Sequence, residues 1–273
     1  MLKIVERRDA EVNEAFGPEL DELVREGARQ MLLAALVVEV AKYNERKRLR
    51  SLLSKFKTVG FGDERELMIR HLRDFFEATN RHEIRACVMF GTLLGKLRHN
   101  DFIPWDDDVD IVVFDFDAFL ERCSPELERR GYTIEPDIQG GKRMGCRIFR
   151  EDSAKVPGEP RLRFPWIGIY EHKVGEDGLI VLPPEETRYR PEDFLPLKQA
   201  DFLGIPVGVP QDSTAILNTN FGSDDWMEIC QLPYRNHRNG NVLTGFSDDK
   251  FELQSVLDYL AFEQLATSRD AAN

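Results

Sequence analysis

Residues 91–114 read GTLLGKLRHNDFIPWDDDVDIVVF, which joins a glycine–threonine pair to a dense run of aspartates. The pair follows residues 84–90, a short apolar segment typical of a β-strand. Residues 93–98 are expected to form a short helix and residues 102–105 a loop. Residues 109–114 are apolar enough for a central strand. We therefore predict a strand–helix–strand unit with acidic side chains at the entry to its second strand.

The aspartate run has the pattern of a metal site. On an extended chain Asp106, Asp108 and Asp110 share one face, and Asp107 lies on the other. Carboxylates crowded against a core repel each other, and a divalent cation such as Mg²⁺ or Mn²⁺ relieves this and also binds phosphate. A solvated loop or a helix N-cap cluster is the alternative interpretation. The apolar strand that follows favours the metal site.

The rest of the chain mixes both kinds of secondary structure. Apolar spacing predicts helices over residues 18–56, 64–80, 116–129 and 251–265, and strands over residues 143–150 and 164–170. Strands interspersed with helices on a small mixed sheet are typical of an α+β (mixed α/β) fold and unlike a helical bundle.

Composition excludes several classes of protein. The chain has 273 residues, 42% of them hydrophobic and 10% aromatic, which is too apolar for a disordered chain. Its net charge is −12, so it lacks the general basic surface that nucleic acid requires. We expect no nucleic-acid partner. A substrate carrying phosphate would need a local basic patch or bound cations.

Cysteine spacing and hydropathy indicate the compartment. None of Cys87, Cys123, Cys146 and Cys230 lies within four residues of another, so buried reduced thiols are expected instead of a zinc or redox motif. The longest apolar run, residues 31–38, has eight residues, whereas a membrane span needs about 20. No leader-like apolar segment begins the sequence. We predict a cytoplasmic protein without a membrane span.

Three stretches resemble the LicD/fukutin-related family. Residues 91–111 are similar to its long signature, and two later stretches are similar to its closing elements: residues 194–210 (FLPLKQADFLGIPVGVP) and residues 217–226 (LNTNFGSDDW). The resemblance covers about residues 72–238. It implies a nucleotidyltransferase core of the DNA polymerase beta type. Residues 71–240 would be the catalytic domain, residues 1–70 an N-terminal helical extension and residues 241–273 a C-terminal helical segment.

The resemblance also implies roles for particular residues. Asp108 and Asp110 would be the metal ligands, with Asp106 as a catalytic acidic partner. Gly91 and Thr92 would form a turn against phosphate, where backbone N–H groups and a hydroxyl are available. Arg98 and His99 would face the phosphates of the donor. A surface salt bridge for Arg98 and a packing role for His99 stay open.

Other basic residues are weaker candidates. Lys142 and Arg143, with Arg147, follow a glycine pair and would bind donor phosphates unless they form a solvated hairpin rim. Arg235, His237 and Arg238 form a second basic group whose alternative is an exposed loop. For His71, His82 and His172 we expect structural roles.

Position 168 departs from the family pattern. The family usually carries another aspartate on a later strand, where this chain has Gly168. In related enzymes that carboxylate completes the metal site and helps to deprotonate the acceptor hydroxyl. Glu171 is the nearest acid, but strand alternation places it on the opposite face from residue 168.

Three hypotheses about function follow from the resemblance. The first is a metal-dependent transfer of a phospho-substituted group, such as phosphocholine or a polyol phosphate, from a CDP-activated donor to a hydroxyl of a sugar, polyol or glycan. The second is nucleotidyl transfer from an NTP to a small molecule or protein. The third is a nucleotide-binding protein without catalysis, as Gly168 suggests.

Overall fold

The computed structural model describes residues 2–53, 60–183, 186–232, 235–238, 241–242 and 250–270. Its contacts divide the chain into two compact units, one formed by Met1–Leu52 with Ser255–Asn273 and the other by Leu53–Gln254. The mixed α/β class predicted from the sequence is confirmed. The predicted domain boundaries at residues 70 and 240 stay predictions.

The helices occur along the whole described chain. They are α1 (Leu2–Leu53), α2 (Arg65–Arg81), α3 (Phe90–Arg98), α4 (Phe116–Ala118), α5 (Ser124–Arg129), α6 (Pro191–Phe194), α7 (Ser213–Phe221) and α8 (Leu253–Asp270). Short 3₁₀ turns lie at Gly62–Glu64 and Asp225–Met227, and a π-helical turn, Phe119–Cys123, joins α4 to α5.

A five-stranded mixed sheet forms the centre of the larger unit. Its strands are β1 (Ala86–Val88), β2 (Val109–Val113), β3 (Tyr132–Gln139), β4 (Lys142–Val156) and β5 (Glu159–Glu171), in the order β1-β2-β5-β4-β3. The β2–β5 pair is parallel, and the other pairs are antiparallel. Every residue of β2 is buried, which accounts for its apolar composition and confirms it as a central strand.

Small sheets complete the described strands. β6 (Lys173–Val174), β7 (Ile180–Leu182) and β8 (Thr187–Tyr189) form one, and β9 (Lys198–Phe202) pairs with β10 (Ile205–Val209). β11 (Ile229–Gln231) pairs with β14 (Lys250–Glu252), and β12 (Arg235–Asn236) with β13 (Asn241–Val242).

Helix α2 covers the sheet with the apolar face that its spacing predicts. Met68, Leu72, Phe75 and Phe76 are almost completely buried, and the helix contacts β5, β10 and α5. Helix α3 contacts β2 and α7, so it lies directly over the strand that carries Asp110.

Several predicted boundaries were wrong. Helix α1 begins at Leu2 and not at residue 18, while its predicted end at residues 54–56 lies outside the described residues. The strand expected over residues 84–90 is limited to β1 because Phe90, with φ +49°, turns the chain into α3. Phe251 pairs with Cys230 in a strand, so the last helix begins at Leu253 instead of residue 251.

The four cysteines all lie in the described part of the chain, are buried and form no disulfide, as expected. Among the described helices, none is long and apolar enough to cross a membrane.

Candidate functional site

Asp110 lies where helix α3 meets strand β2. Its side chain is buried, and its backbone N–H donates a hydrogen bond of 2.9 Å to the Thr92 hydroxyl. Its carbonyl accepts the N–H of Met89 at 3.0 Å. The two bonds tie the start of α3 to β2. Gly91 and Thr92 therefore stand in the first turn of a helix and not in the separate turn that we predicted.

Gly91 makes room for an acidic side chain. A Cβ at this position would stand 2.6 Å from Oδ2 of Asp106, so the Asp106 side chain would have to move away. The absence of a side chain thus lets the Asp106 carboxyl approach the N-terminal turn of α3, where backbone N–H groups are unpaired within the helix. Both residues therefore belong to one small anionic pocket.

The carboxyl groups of the aspartate run are crowded. Burial, followed by repulsion from Asp108, Asp107 and Asp110, raises the pKa of Asp106 well above its ordinary value. Once either group is protonated, the carboxyl groups of Asp106 and Asp108 can hydrogen-bond to each other. Such a cluster either retains a proton or takes up a cation.

Asp107 is bonded to His237, a residue far along the chain: its carboxylate accepts the backbone N–H at 3.0 Å and contacts ring Nδ1 at 2.8 Å. The N–H of Arg238 adds a bond of 3.2 Å. His237 Nε2 lies 3.5 Å from Oδ2 of Asp108. His237 thereby connects Asp107, which is 3% exposed, to the acidic cluster.

This connection was missed from the sequence. Of the basic group formed by Arg235, His237 and Arg238, the last two are part-buried, so an exposed loop is wrong for them. Arg238 forms an ion pair with Glu64, and its guanidinium lies 4.7 Å from the centre of the Phe164 ring. The side chain of Arg235 lies outside the described residues.

Position 168 faces the acidic cluster. In the parallel register Gly168 lies directly opposite Asp110, and a Cβ there would stand 2.9 Å from Oδ1 of Asp110. Tyr170 occupies the adjoining space: it lies 3.5 Å from that Cβ position, and its hydroxyl hydrogen-bonds to Asp110. The charge of Asp110, followed by burial, raises the pKa of Tyr170 well above its ordinary value. Tyr170 thus provides a neutral donor near the position of the expected carboxylate.

Glu171 does not replace that carboxylate. It forms two 2.8 Å hydrogen bonds with Arg143, whose guanidinium also lies 4.9 Å from the centre of the Phe116 ring. Arg143 and Lys142 are exposed where β4 begins, beside the hairpin turn. Arg147 instead lies opposite Gly168 in the β4–β5 ladder, so it shares the sheet face of Asp110. It donates to Asp137 at 2.9 Å.

Arg98 and His99 lie beside each other at the end of α3. Arg98 donates to the carbonyl of Trp226 at 2.8 Å and to His99 Nε2 at 3.0 Å, so a surface salt bridge is not its role. Burial, followed by repulsion from Arg98, lowers the pKa of His99 to about 4. His99 is therefore neutral at pH 7 and packs edge-on against Trp105, with ring centres 6.0 Å apart.

A cavity of about 610 Å³ opens on this cluster. Its volume lies within the range of small-molecule sites. It brings together Gly91, Arg98, Asp106 and Asp110 from the predicted site. The other predicted residues are not among the described residues that line it: Thr92, His99, Asp108, Lys142 and Arg143. Its other walls are largely aromatic and polar, and they include Phe90, Trp105, Tyr170, Asn220, Phe221, Ser223, Asp225, Trp226 and Gln231.

The donor groups are compatible with a hard cation. Across the described residues, no three His, Cys, Asp or Glu side chains are placed to hold one metal ion together. Mg²⁺ is often bound by only one or two protein carboxylates, with water and substrate phosphates as its other ligands. Asp106, Asp108 and Asp110 supply oxygens of this kind, and their repulsion is what a cation would relieve. The residues therefore fit a cation shared with a phosphate-bearing ligand.

Comparison with curated proteins gives partial matches. An uncharacterised protein of Rickettsia prowazekii is 29% identical over 169 residues, covering 61% of this chain and 58% of that protein. The lipopolysaccharide cholinephosphotransferase LicD of Haemophilus influenzae is 43% identical over 129 residues, covering 37% of this chain and 48% of that protein. The chain spans about half the length of the curated relatives it matches.

Two solved structures have a distant likeness to the chain. ANT(2")-Ia in complex with adenylyl-2"-tobramycin gives a TM-score of 0.36 at 12% identity, covering 57% of this chain and 75% of that one. The lincomycin-bound lincosamide adenylyltransferase LnuA gives 0.35 at 13%, covering 58% and 85%. Likeness at this level carries no argument about function.

The central region of the chain matches a family model. A family model described as LicD/FKTN/FKRP, nucleotidyltransferase domain, matches residues 83–212, which include β1, α3, the aspartate run and β2. Residues 83–212 are therefore similar to the nucleotidyltransferase domain of the LicD/FKTN/FKRP family.

Proposed function

We propose that this protein is a metal-dependent transferase that moves a phospho-substituted group from a CDP-activated donor to a hydroxyl of a sugar, polyol or glycan. The proposal depends mainly on one observation: the carboxyl groups of Asp106, Asp108 and Asp110 repel one another at close range, and Asp106 and Asp110 line the cavity. The matching relative from Haemophilus influenzae, named a cholinephosphotransferase, supports a group of the phosphocholine type.

Asp108 and Asp110 would hold Mg²⁺ or Mn²⁺, with Asp106 beside them. The bound cation would neutralise phosphate charge and polarise the phosphorus that is attacked. Asp110 is suited to this role because its backbone is fixed by Thr92 and Met89. A ligand held by such a fixed carboxylate loses little further entropy when the substrate binds.

The cavity would receive the donor. At Gly91 the backbone approaches the cavity without a side chain, so a phosphate oxygen can reach the N–H groups of the first turn of α3. Arg98 adds positive charge to the same wall. Arg147 lies two strands from Asp110 on the same sheet face, about 10 Å away, within reach of a diphosphate.

The proposed reaction balances without a redox partner. The acceptor oxygen forms a bond to the phosphorus of the transferred group, and the bond from that phosphorus to the CMP oxygen breaks. CMP leaves with the bonding electrons, and the acceptor proton passes to solvent. Positioning and charge neutralisation account for most of the catalysis in phosphoryl transfers.

Product analysis separates this proposal from nucleotidyl transfer. The full chain is incubated with Mg²⁺ and a panel of sugar, polyol and glycan acceptors, with CDP-choline or CDP-ribitol in one series and CTP or ATP in another. We expect CMP and a phospho-substituted acceptor from the first series. Pyrophosphate and a nucleotidylated acceptor from the second series alone would replace the proposal with the second hypothesis.

Carboxylate variants connect any turnover to the site. Asp110→Asn and Asp108→Asn should each lower the rate at least about 100-fold, because each removes a charge that the cation requires. Asp117→Asn is the matched control, since Asp117 is exposed and is not among the residues that line the cavity. Unchanged turnover in Asp110→Asn would remove Asp110 from the mechanism.

The third hypothesis, a nucleotide-binding protein without catalysis, is the other candidate that an observation favours. Gly168 favours it because the site has one carboxylate fewer than the family pattern. Calorimetry with CDP-choline, CTP and CMP, with and without Mg²⁺, tests it. Metal-dependent binding without product over hours supports this candidate. Absence of binding to all three nucleotides contradicts both candidates.

A further inference from the structure

The middle of helix α1 has an uncovered apolar surface. Every side chain from residue 31 to residue 44 is exposed. Eleven large apolar side chains of the helix are between 49% and 75% exposed: Leu20, Leu23, Val24, Met31, Leu32, Leu33, Leu36, Val37, Val38, Val40 and Tyr43. Monomeric proteins rarely leave a contiguous apolar patch larger than a few hundred Å² in water. We therefore expect another apolar surface to pack against this segment.

Within the same unit, the described hydrogen bond between α1 and α8 lies just after this segment. The Ser255 hydroxyl, in the first turn of α8, donates to Glu45 at 3.0 Å, and Leu49 and Leu52 are buried. Residues 20–44 lie before these positions and would extend for roughly 37 Å. In proteins most of the stability of a helix comes from packing of its apolar surface against other parts of the structure. Among the described residues, nothing in this unit supplies that packing.

The distribution of charge on either side of the apolar run is self-complementary. Asp21 and Glu22 lie before residues 31–38, and Lys47 and Arg48 lie after them; all four are exposed. Two copies paired antiparallel about the midpoint of that run would place Asp21 level with Arg48 and Glu22 level with Lys47. A parallel pair would place like charges side by side instead.

We infer that α1 is the surface on which a second copy of this chain docks, with the two α1 helices antiparallel about a two-fold axis. One patch then meets the same patch of its partner, as in closed symmetric dimers. The exposed apolar segment is long enough to supply the roughly 800 Å² per partner that stable interfaces bury. Flanking charges fix the direction of the pair.

A membrane surface is the alternative partner that would bury this segment, and the segment fits it poorly. Interfacial helices carry a continuous polar face opposite the apolar one. Residues 31–38 are apolar on every side of the helix, since eight residues make more than two turns. The membrane is therefore an outcome to be tested and not part of the proposal.

Sedimentation equilibrium of the full chain measures the association. The expected mass is twice the 31.5 kDa of one chain. The double variant Asp21→Lys/Glu22→Lys should weaken the dimer at least about tenfold, because the two-fold axis turns each substitution into two repulsive pairs. Adding Lys47→Glu and Arg48→Glu to this variant should restore the wild-type affinity, since the charges have then exchanged ends.

The controls separate the alternatives. Asp117→Lys/Glu121→Lys changes the same charges on α4 and the turn that follows it, and it should leave the dimer intact. A monomer throughout the micromolar range overturns the proposal. A dimer whose affinity does not change in the Asp21→Lys/Glu22→Lys variant also overturns it. So does a four-site variant that does not regain the wild-type affinity. Flotation of monomers with vesicles of phosphatidylcholine and phosphatidylglycerol would assign α1 to a membrane surface instead.

Discussion

Gly168 and Asp110 lie directly opposite each other on the parallel strands β5 and β2, and a Cβ at residue 168 would stand 2.9 Å from Oδ1 of Asp110. The position that lacks the expected carboxylate therefore faces the acidic cluster. The close atom is the end of a side chain, which can rotate away, so a larger residue is sterically possible. The missing charge can thus be restored by substitution.

Gly168→Asp should make the protein more responsive to Mg²⁺. Without metal, the added carboxylate repels Asp110, so the variant should unfold at a lower temperature than Gly168→Asn, which has the same size without charge. The difference corresponds to about 1–2 kcal/mol. Excess Mg²⁺ should reverse the order of the two variants, as measured by thermal unfolding. An equal response of both to Mg²⁺ would contradict a cation at this position.

Tyr170→Phe tests whether the phenol supports Asp110. Its hydroxyl donates to a buried carboxylate, so its removal should lower the free energy of unfolding by about 1.5–3 kcal/mol. In an Asp110→Ala background the same change should cost little, which gives a coupling of at least about 1 kcal/mol in chemical denaturation.

Tyr132→Phe is the matched control for this cycle, because the Tyr132 hydroxyl donates to Asp74 at 2.7 Å in another part of the sheet. Tyr132→Phe should lower the free energy of unfolding by the same amount with and without Asp110→Ala. If Tyr170→Phe is equally additive, Tyr170 does not act through Asp110.

The parts of the site that sequence could predict depend on short-range rules. The apolar segment after the aspartate run indicated that β2 is central, and every residue of β2 is buried. Strand alternation places residues 168 and 170 on one face, so Tyr170 was accessible to this reasoning and was missed. Alternation also explains why Glu171 pairs with Arg143 and not with the cluster.

Contacts between distant segments could not be predicted. Asp107 and His237 are separated by 130 positions, and no periodicity connects a loop residue to a carboxylate. The start of α3 was missed for another reason: Phe90 has a positive φ, which no pattern of apolar residues indicates. The pairing of strands distant in sequence therefore determines which basic residues lie near the cluster. It places Arg147 on the sheet face of Asp110, whereas Lys142 and Arg143 lie at the start of β4.

Asp107→Asn should destabilise the protein more than His237→Ala. The carboxylate accepts two backbone N–H groups as well as the His237 ring, so an amide in its place leaves buried donors poorly satisfied, at about 2–3 kcal/mol. His237→Ala keeps both backbone donors and loses one ring contact, at about 1 kcal/mol. Chemical denaturation measures both, with Asp117→Asn as the surface control. Equal losses would show that the backbone bonds contribute nothing.

His71 should make stability depend on acidity. It is buried on α2 with its ring 5.2 Å from that of Tyr132, and neither ring nitrogen has a hydrogen-bond partner among the residues that the structure describes. Burial, followed by repulsion from Arg150, lowers its pKa from 6.5 to about 4. The neutral form is therefore the one that the fold accommodates. Its contribution to stability is complete above pH 6.5 and is lost as the pH falls through 4.

His71→Phe removes this dependence while keeping the aromatic contact with Tyr132. This pKa shift corresponds to at most about 3 kcal/mol of unfolding free energy. The wild type should therefore lose up to that amount of stability relative to the variant between pH 6.5 and 4. Urea denaturation at a series of pH values gives the difference curve, which cancels groups that titrate in both proteins, His99 included. Parallel curves over that interval would mean that His71 accepts a proton in the folded protein as readily as in the unfolded chain.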